Sequence, residues 1–306
     1  MLTPVDVERA RAAIAGRVHR TPTLSSASLG ADLKAELFQK TGSFKARGAL
    51  NRVLALTPDE RRHGVVTWSA GNHAQAVAWA CAQEGVDCLV SMWESASPLK
   101  VEATRGYGAT VDTSSPDAAV AYERALEVAD REGRVFLHPH SDPLIVAGHG
   151  TVALEILEDV PDVATVVVGV GGGGLIAGIV TALDGRARVV AVEPEGSRAF
   201  AAGLEAGHSV RVESSTIADG LAPPFAGELP LEICRGKVDT VLVSEAEIKD
   251  GMRFLYTRAK LACEPAGAAA AAAVLAGKVE RDGRIAVVVS GGNALPELAA
   301  AILAGR

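Results

Sequence analysis

Short apolar segments rich in β-branched residues alternate along the chain with segments of helical periodicity. The apolar segments lack polar alternation, which is typical of strands buried on both faces of a sheet. They are residues 64–68, 88–91, 165–170, 189–193, 240–243 and 285–290. The helical segments between them are residues 43–56, 72–83, 116–132, 245–260 and 266–276. This order predicts an α/β fold in which parallel sheets are flanked by helices.

One apolar segment, residues 163–183, carries no charge and is long enough to cross a bilayer. It contains four consecutive glycines at 171–174. These glycines would interrupt a lipid-exposed helix and leave backbone groups without partners. A buried strand, a glycine turn and a helix therefore explain the segment better than a membrane span, and no membrane association is expected.

Composition narrows the class of protein further. The chain has 306 residues, of which 48% are hydrophobic and 22% charged, so it can bury a full core. A net charge of −7 argues against a sequence-independent nucleic-acid binder. The four cysteines have no CxxC spacing, and the N-terminus has neither a basic nor an apolar leader. We expect reduced core thiols, no signal peptide and a cytoplasmic protein.

Lys45 is the first candidate for chemistry, in the segment TGSFKARGA at the start of a predicted helix. Polar capping residues precede that helix. The positive end of the helix dipole disfavours the charged form of a lysine there, and a neutral amine is what Schiff-base chemistry requires. Taken alone, the segment favours the interpretation of Lys45 and Lys40 as ordinary surface lysines.

Two further turns follow predicted strands and open helices, where free N–H groups bind anions. SAGNHAQA, which begins at Ser69, has the form of an N–H nest for a substrate carboxylate. GVGGGGL, at 169–175, allows close backbone approach to a phosphate. Its spacing also fits a dinucleotide site, because Glu193 lies about 20 residues further on. Spacing alone does not decide between the two ligands.

Together the segments resemble, in family order, the fold-type II pyridoxal-phosphate enzymes with the tryptophan synthase β-like fold. The resemblance is strongest to the serine/threonine dehydratase (threonine ammonia-lyase) and serine racemase branch. It covers nearly the whole chain through TGSFKARGA, SAGNHAQA, HPHSDP, AGHGT, GVGGGGL, VEPE, TIADGL, EPAGA and SGGN. The resemblance implies that the glycine loop binds the cofactor phosphate and not a dinucleotide. It implies two open, mostly parallel, twisted sheets flanked by helices, with a cofactor-binding large domain at 1–49 and 142–306 and a small domain at 50–141.

The resemblance also implies a role for each matching residue. Lys45 would hold the cofactor aldehyde, Phe44 would pack against the pyridine ring, and Asn72 would bond the 3-oxygen. Ser290 would face the pyridine nitrogen. The phosphate would lie on Gly171, Gly172, Gly173 and Gly174. The substrate carboxylate would be surrounded by Ser69, Ala70, Gly71 and His73, mainly through N–H groups.

The neutral hydroxyl of Ser290 bears on the type of reaction. An aspartate there would keep the pyridine protonated, whereas a serine leaves it largely unprotonated, so loss of a β-hydroxyl competes well. The expected activity is an ammonia-releasing dehydration of L-threonine or L-serine to a 2-oxo acid. Racemisation is the alternative, but Ala70 stands where racemases of this branch carry a serine. The other alternative is a binding or structural protein that has this fold but no catalytic activity. Such a protein would not need Lys45, so the presence of Lys45 argues against it.

The sequence departs from the family at two segments that border the expected substrate. They contain His140 and Ser141, and Pro223, Pro224 and Phe225. For this reason the preferred hydroxy amino acid is not predicted. The resemblance further implies a homodimer or other homo-oligomer. Because the chain ends soon after SGGN, a regulatory domain and isoleucine feedback are not expected.

Glu193 is the candidate metal ligand, since part of this branch binds a divalent cation near VEPE. The position six residues on is Ala199, where a carboxylate would be needed. Hard cations require several oxygens, so the sequence does not favour a bound metal. His138 and His140 have no third ligand nearby, and a zinc site is not expected.

Overall fold

The computed structural model describes residues 2–305 and contains two sheets of mostly parallel strands. In chain order the strands are β1 (Thr23–Ser26), β2 (Ala31–Ala35), β3 (Val65–Trp68), β4 (Cys88–Trp93), β5 (Thr110–Ser115), β6 (Val135–Leu137), β7 (Val163–Gly169), β8 (Arg188–Pro194), β9 (Asp239–Val243) and β10 (Arg284–Val289). The larger sheet has the order β1-β2-β10-β7-β8-β9 and the smaller one β5-β4-β3-β6. Among these strands, β1 and β2 pair antiparallel and the other pairs are parallel.

Helices cover both sheets, as strand–helix alternation predicts. They are α1 (Pro4–Ile14), α2 (Lys45–Leu54), α3 (Pro58–His63), α4 (Asn72–Glu84), α5 (Pro98–Gly106), α6 (Ala118–Glu132), α7 (Pro143–Asp159), α8 (Gly174–Leu183), α9 (Ala199–Ala206), α10 (Glu228–Cys234), α11 (Glu245–Phe254), α12 (Pro265–Leu275) and α13 (Pro296–Leu303). Every predicted strand and helix is present, with ends shifted by a few residues. The predicted helix at 245–260 changes character, because α11 continues into a π-helical turn at Leu255–Ala259.

The larger sheet is buried on both faces, which explains its uninterrupted apolar strands. On β7, Val167 packs into the hydrophobic cluster that contains α12, whereas Val166 and Val168 pack into the cluster that contains α8. All three side chains are fully buried. A strand with this environment needs apolar residues at successive positions, so the absence of alternation is a consequence of burial.

Strand β2 is not among the strands that the apolar pattern predicts, because its sequence ADLKA carries two charges. All five of its residues are nevertheless buried. Lys34 is accommodated because its Nζ forms an ion pair with Glu155 at 2.7 Å and donates to the Thr21 carbonyl at 2.7 Å. A strand whose charges are neutralised by distant residues has no local signature.

The uncharged segment at 163–183 forms β7, a glycine turn and α8, as predicted. Within residues 2–305, no helix is both long enough and apolar enough to cross a membrane. The cysteines are free and buried, which confirms the prediction of core thiols.

The strands of the smaller sheet come from residues 65–137, and those of the larger sheet come from both sides of this segment. These ranges lie within the blocks 50–141 and 1–49 with 142–306. The boundary at 49–50 falls inside α2. The division into two domains at these bounds therefore stays a prediction.

Candidate active site

A cavity of about 360 Å³ lies at the carboxyl ends of strands from both sheets. Ser69 directly follows β3, Val170 follows β7 and Ser290 follows β10. Parallel strands direct their ends and the following turns to one edge, which is where open α/β sheets bind ligands. The lining includes the predicted residues Phe44, Lys45, Ser69, Ala70, Gly71, Asn72, His73, Gly171, Gly172, Gly173, Gly174 and Ser290.

Lys45 is the first residue of α2 and extends into this cavity. Its Nζ donates a hydrogen bond to the Pro139 carbonyl at 2.8 Å. Burial lowers the pKa of Lys45 to about 8. This is the predicted direction, and the cause that the structure shows is withdrawal of the amine from water.

Two backbone hydrogen bonds attach the segment that carries Lys45 to the turn after β10. The Phe44 N–H donates to the Ser290 carbonyl at 3.2 Å, and the Gly292 N–H donates to the Gly42 carbonyl at 2.9 Å. The predicted polar cap of α2 is wrong. The capping position is Phe44 without a side-chain cap, and Ser43 Oγ has no partner among the described residues. Pairing with the strand end fixes the helix start instead.

The turn at 69–73 combines occupied and free N–H groups. Ser69 N–H donates to the Ser91 carbonyl at 3.3 Å, and Gly71 N–H donates to Ser69 Oγ at 3.2 Å. The N–H groups of Ala70 and of the first residues of α4 donate to no other described residue. The His73 ring is held by Thr67 Oγ1 at 3.0 Å, and burial lowers its pKa well below the usual value. A nest of free N–H groups and neutral side chains suits an anion.

The glycine loop at the start of α8 forms a second set of free N–H groups. Those of Gly171, Gly172, Gly173 and Gly174 donate to no other described residue. Gly173 has a φ of 91°, which favours glycine. A Cβ on Gly172 would lie 2.3 Å from the His140 ring. The loop therefore packs too closely against His140 for Gly172 to carry a side chain without a shift of the ring.

A buried acid, Glu264, lies beside Asn72 in the same cavity. Asn72 Nδ2 donates to Glu264 Oε1 at 2.6 Å, and Asn72 Oδ1 accepts from Asn293 Nδ2 at 2.7 Å. Burial, reinforced by the charge of Asp219, raises the pKa of Glu264 to about 7. One N–H of the Asn72 amide remains free for a ligand.

The cavity also contains a contact between distant parts of the chain. Lys100, on α5, forms an ion pair with Asp219, in the short 3-10 turn Asp219–Leu221. Phe225, which follows this turn, stacks on Trp68 with ring centroids 6.4 Å apart. The segment after Asp219 thus closes one side of the cavity.

A family model described as "Pyridoxal-phosphate dependent enzyme" matches residues 14–291. The chain belongs to this family. It is 42% identical to the L-threonine ammonia-lyase of Thermotoga maritima, over 96% of this chain and 76% of that protein. It is 41% identical to the catabolic L-threonine dehydratase TdcB of Escherichia coli K12, over 94% of this chain and 92% of that one.

Solved structures of this family have the same fold. Maize serine racemase superimposes with a TM-score of 0.93 at 36% identity, covering 97% of this chain and 95% of that one. A threonine deaminase from the organism abbreviated T.th. superimposes with a TM-score of 0.89 at 39% identity, covering 95% of this chain and 98% of that one. The predicted family, fold class and cofactor are confirmed.

The residues of this pyridoxal-phosphate enzyme fit its cofactor. The free N–H groups of the glycine loop can donate hydrogen bonds to a phosphate, and the pKa of Lys45, lowered to about 8, makes a neutral amine accessible for Schiff-base formation. Ser290 and Asn72, with its free N–H, line the same cavity as Phe44. The individual roles assigned to these residues stay predictions.

Glu193 does not line the cavity. Its two carboxylate oxygens accept the N–H groups of Phe200 and Ala201, each at 2.8 Å, at the start of α9. Burial raises the pKa of Glu193 to about 7. No group of three or more His, Cys, Asp or Glu side chains that could hold a metal occurs within residues 2–305.

Several lining residues were given no role from sequence. Glu264 belongs to the motif EPAGA, so its place in the family pattern was a usable signal. The Pro139 carbonyl, by contrast, acts through its backbone, which residue identity does not reveal. Lys100 and Asp219 are 119 residues apart, and nothing local predicts their contact.

Proposed function

We propose that this chain is a pyridoxal-phosphate-dependent ammonia-lyase that dehydrates L-threonine or L-serine to the corresponding 2-oxo acid. The proposal rests on one observation: the Lys45 amine lies in the same cavity as two sets of free backbone N–H groups. A threonine ammonia-lyase and a threonine dehydratase are 42% and 41% identical to this chain over most of its length. They support both the reaction class and the substrate class.

The cofactor, when bound, supplies an electron sink for the bond broken at the substrate α-carbon. The nest at 69–73 holds the substrate carboxylate, since free N–H groups at a helix start attract anions. Lys45 takes the α-proton, because an amine with a pKa of about 8 is partly neutral near physiological pH. The same amine returns that proton to the departing hydroxyl, which leaves as water. The remaining product rearranges and hydrolyses to a 2-oxo acid and ammonia.

Racemisation is the second candidate, favoured by the high structural similarity to serine racemases. It requires a proton donor on each face of a planar α-carbon. Lys45 serves one face. Ala70 has no transferable proton, and the neighbouring Ser69 Oγ lies against the backbone, where it accepts a hydrogen bond from the Gly71 N–H at 3.2 Å. Elimination is therefore favoured over racemisation.

The test is chiral analysis of reaction mixtures with L-serine and L-threonine. We expect pyruvate or 2-oxobutyrate with ammonia, and little D-amino acid. Ala70→Ser should raise the racemised share, because it places a hydroxyl where the second donor would act. Ala74→Ser, in the first turn of α4 and outside the cavity lining, is the matched control. D-serine that forms as fast as pyruvate in the natural enzyme would contradict the lyase proposal.

A homodimer or other homo-oligomer and a cytoplasmic location complete the proposal. Both rest on the resemblance and on the composition of the chain. Sedimentation of the purified protein and fractionation of cells that express it would test them.

A further inference from the structure

His140 is a buried histidine of the cavity wall whose ring has unused hydrogen-bonding capacity. The residue is 5% exposed, and Nε2 has no hydrogen-bond partner within residues 2–305. Nδ1 makes no hydrogen bond to another described residue either, and unlike Nε2 it is not among the fully buried atoms without a partner. Buried polar atoms are nearly always paired, so this ring lacks a structural explanation within the protein.

Three glycines make the space that the His140 ring occupies. A Cβ on Gly172 would lie 2.3 Å from Nδ1, and one on Gly227 would lie 2.9 Å from Cδ2. A Cβ on Gly174 would come within 3.0 Å of the His140 Cα. Such contacts exclude a larger residue unless the ring moves. The Nδ1 edge of the ring therefore lies directly against the glycine loop.

The orientation of His140 is fixed by its neighbours. His138 Nδ1 accepts the N–H groups of His140 at 3.3 Å and Ser141 at 3.2 Å. The His138 and His140 rings pack edge to face with centroids 4.5 Å apart, and Phe225 lies 6.1 Å from His140. A ring that is already ordered binds a ligand with little loss of conformational entropy.

Burial, reinforced by nearby His138, lowers the pKa of His140 well below its usual value. A neutral imidazole carries one N–H donor and one acceptor. If Nε2 carried the proton, a buried N–H would have no acceptor, which is the rarer arrangement in proteins. Placing the proton on Nδ1 directs the donor toward the glycine loop.

We propose that the Nδ1–H of His140 donates a hydrogen bond to the phosphate of pyridoxal phosphate. The phosphate site then has a side-chain donor in addition to the backbone N–H groups of Gly171, Gly172, Gly173 and Gly174. Hydrogen bonds to an ionised phosphate are short and strong. This role concerns the cofactor alone and holds whichever amino acid the enzyme uses.

The test compares two ligands of the full-length protein freed of cofactor. Pyridoxal phosphate and pyridoxal differ by the phosphate, and quenching of Trp68 and Trp93, which line the cavity, reports binding of either. His140→Phe removes the donor and keeps the ring volume. We expect it to weaken binding of pyridoxal phosphate about tenfold or more and to leave that of pyridoxal unchanged. His140→Asn, which keeps an N–H close to the position of Nδ1, should restore most of the affinity.

His63→Phe is the matched control, because His63 is an exposed histidine of α3 outside the cavity lining. It should leave both affinities unchanged. The phosphorus NMR signal of the bound cofactor should shift in His140→Phe and not in His63→Phe. Equal weakening of both ligands by His140→Phe, or no weakening of either, would overturn the proposal. The measurement contains no amino acid, so its failure is separate from failure of the proposed lyase activity.

Discussion

Arg47 and Lys45 are two residues apart on α2, yet they have opposite environments. The Arg47 guanidinium is 1% exposed and forms paired hydrogen bonds with Glu36, at 2.7 and 2.8 Å, and with Glu155, at 2.6 and 2.9 Å. The Lys45 amine makes a single hydrogen bond, to the Pro139 carbonyl. The hydrogen-bonding groups of Arg47 are therefore paired within the protein, whereas the Lys45 amine can still bind a ligand.

The acids of the two regions show the same contrast. Burial acts to raise the pKa of Glu155, but the hydrogen bonds and charge of Arg47 lower it overall. Glu264 is buried beside an amide, so burial and the charge of Asp219 prevail and its pKa rises to about 7. Buried charges that are paired within the protein stabilise the fold, whereas buried ionisable groups without an opposite charge mark the candidate active site.

Most buried atoms without a partner lie in or beside the cavity. Within residues 2–305 they belong to Thr41, Ser43, Trp68, His73, Ser115, His140 and His149. Ser115, on β5, does not line the cavity, and the structure offers no account of it. Trp68, His73 and His140 line the cavity, Ser43 precedes the lining residue Phe44, and His149 packs edge to face against Phe44, which supports a site organised around a ligand. No contact with the lining accounts for Thr41.

Replacing the two cations separates function from stability. Lys45→Ala should reduce turnover of L-threonine by at least about 10³-fold, since it removes both the covalent anchor and the proton carrier. The free energy of unfolding should change little, because the amine forms a single hydrogen bond. Turnover assays with urea unfolding check both. Lys40→Ala, outside the cavity lining, is the control. Normal turnover by Lys45→Ala would refute the assignment.

Arg47→Ala should act in the opposite way. Loss of the guanidinium leaves Glu36 buried without a cationic partner and Glu155 paired with Lys34 alone, which should cost about 3–5 kcal/mol of unfolding free energy. Arg9→Ala, in an exposed ion pair, should change it by less than about 0.5 kcal/mol. Urea unfolding of both variants provides the comparison. If Arg47→Ala were as stable as Arg9→Ala, the structural role of the network would be wrong.

Glu264→Gln should give the smallest effect, and the size of its effect on the free energy of unfolding should depend on pH. The pKa of Glu264 is raised from 4.5 to about 7, so the folded protein binds this proton more tightly than the unfolded chain. The charge therefore destabilises the fold above about pH 7, and the penalty disappears as the pH falls toward 4.5. In cofactor-free protein, the substitution should stabilise by about 1–3 kcal/mol near pH 8. Equal stability of both proteins across this range would contradict an uncompensated acid.

The sequence predicted the architecture and the cavity-lining motifs because both depend on local patterns. Apolar strands such as β7 show burial on two faces, and glycine turns such as 171–174 show where a backbone must remain bare. The order of the family motifs along the chain then identified the ligand of the glycine loop as a phosphate group and not a dinucleotide. The reaction class predicted from it agrees with the names of the relatives.

What the sequence missed depends on contacts between distant segments. Strand β2 was hidden because the charge of Lys34 is neutralised by Glu155, 121 residues away in number (155 minus 34). The same applies to the cause of the lowered pKa of Lys45: its direction was predicted, but enclosure by the assembled cavity was not. Pairing and burial of this kind arise only when the chain folds.

The most direct test of the site is to find which lysine binds the cofactor. Enzyme loaded with pyridoxal phosphate is reduced with borohydride, digested and mapped by mass spectrometry. The cofactor should be attached at Lys45, which lines the same cavity as the glycine loop and Ser290. Attachment at Lys100, the other lysine that lines the cavity, or at Lys40 would contradict the assignment of the site.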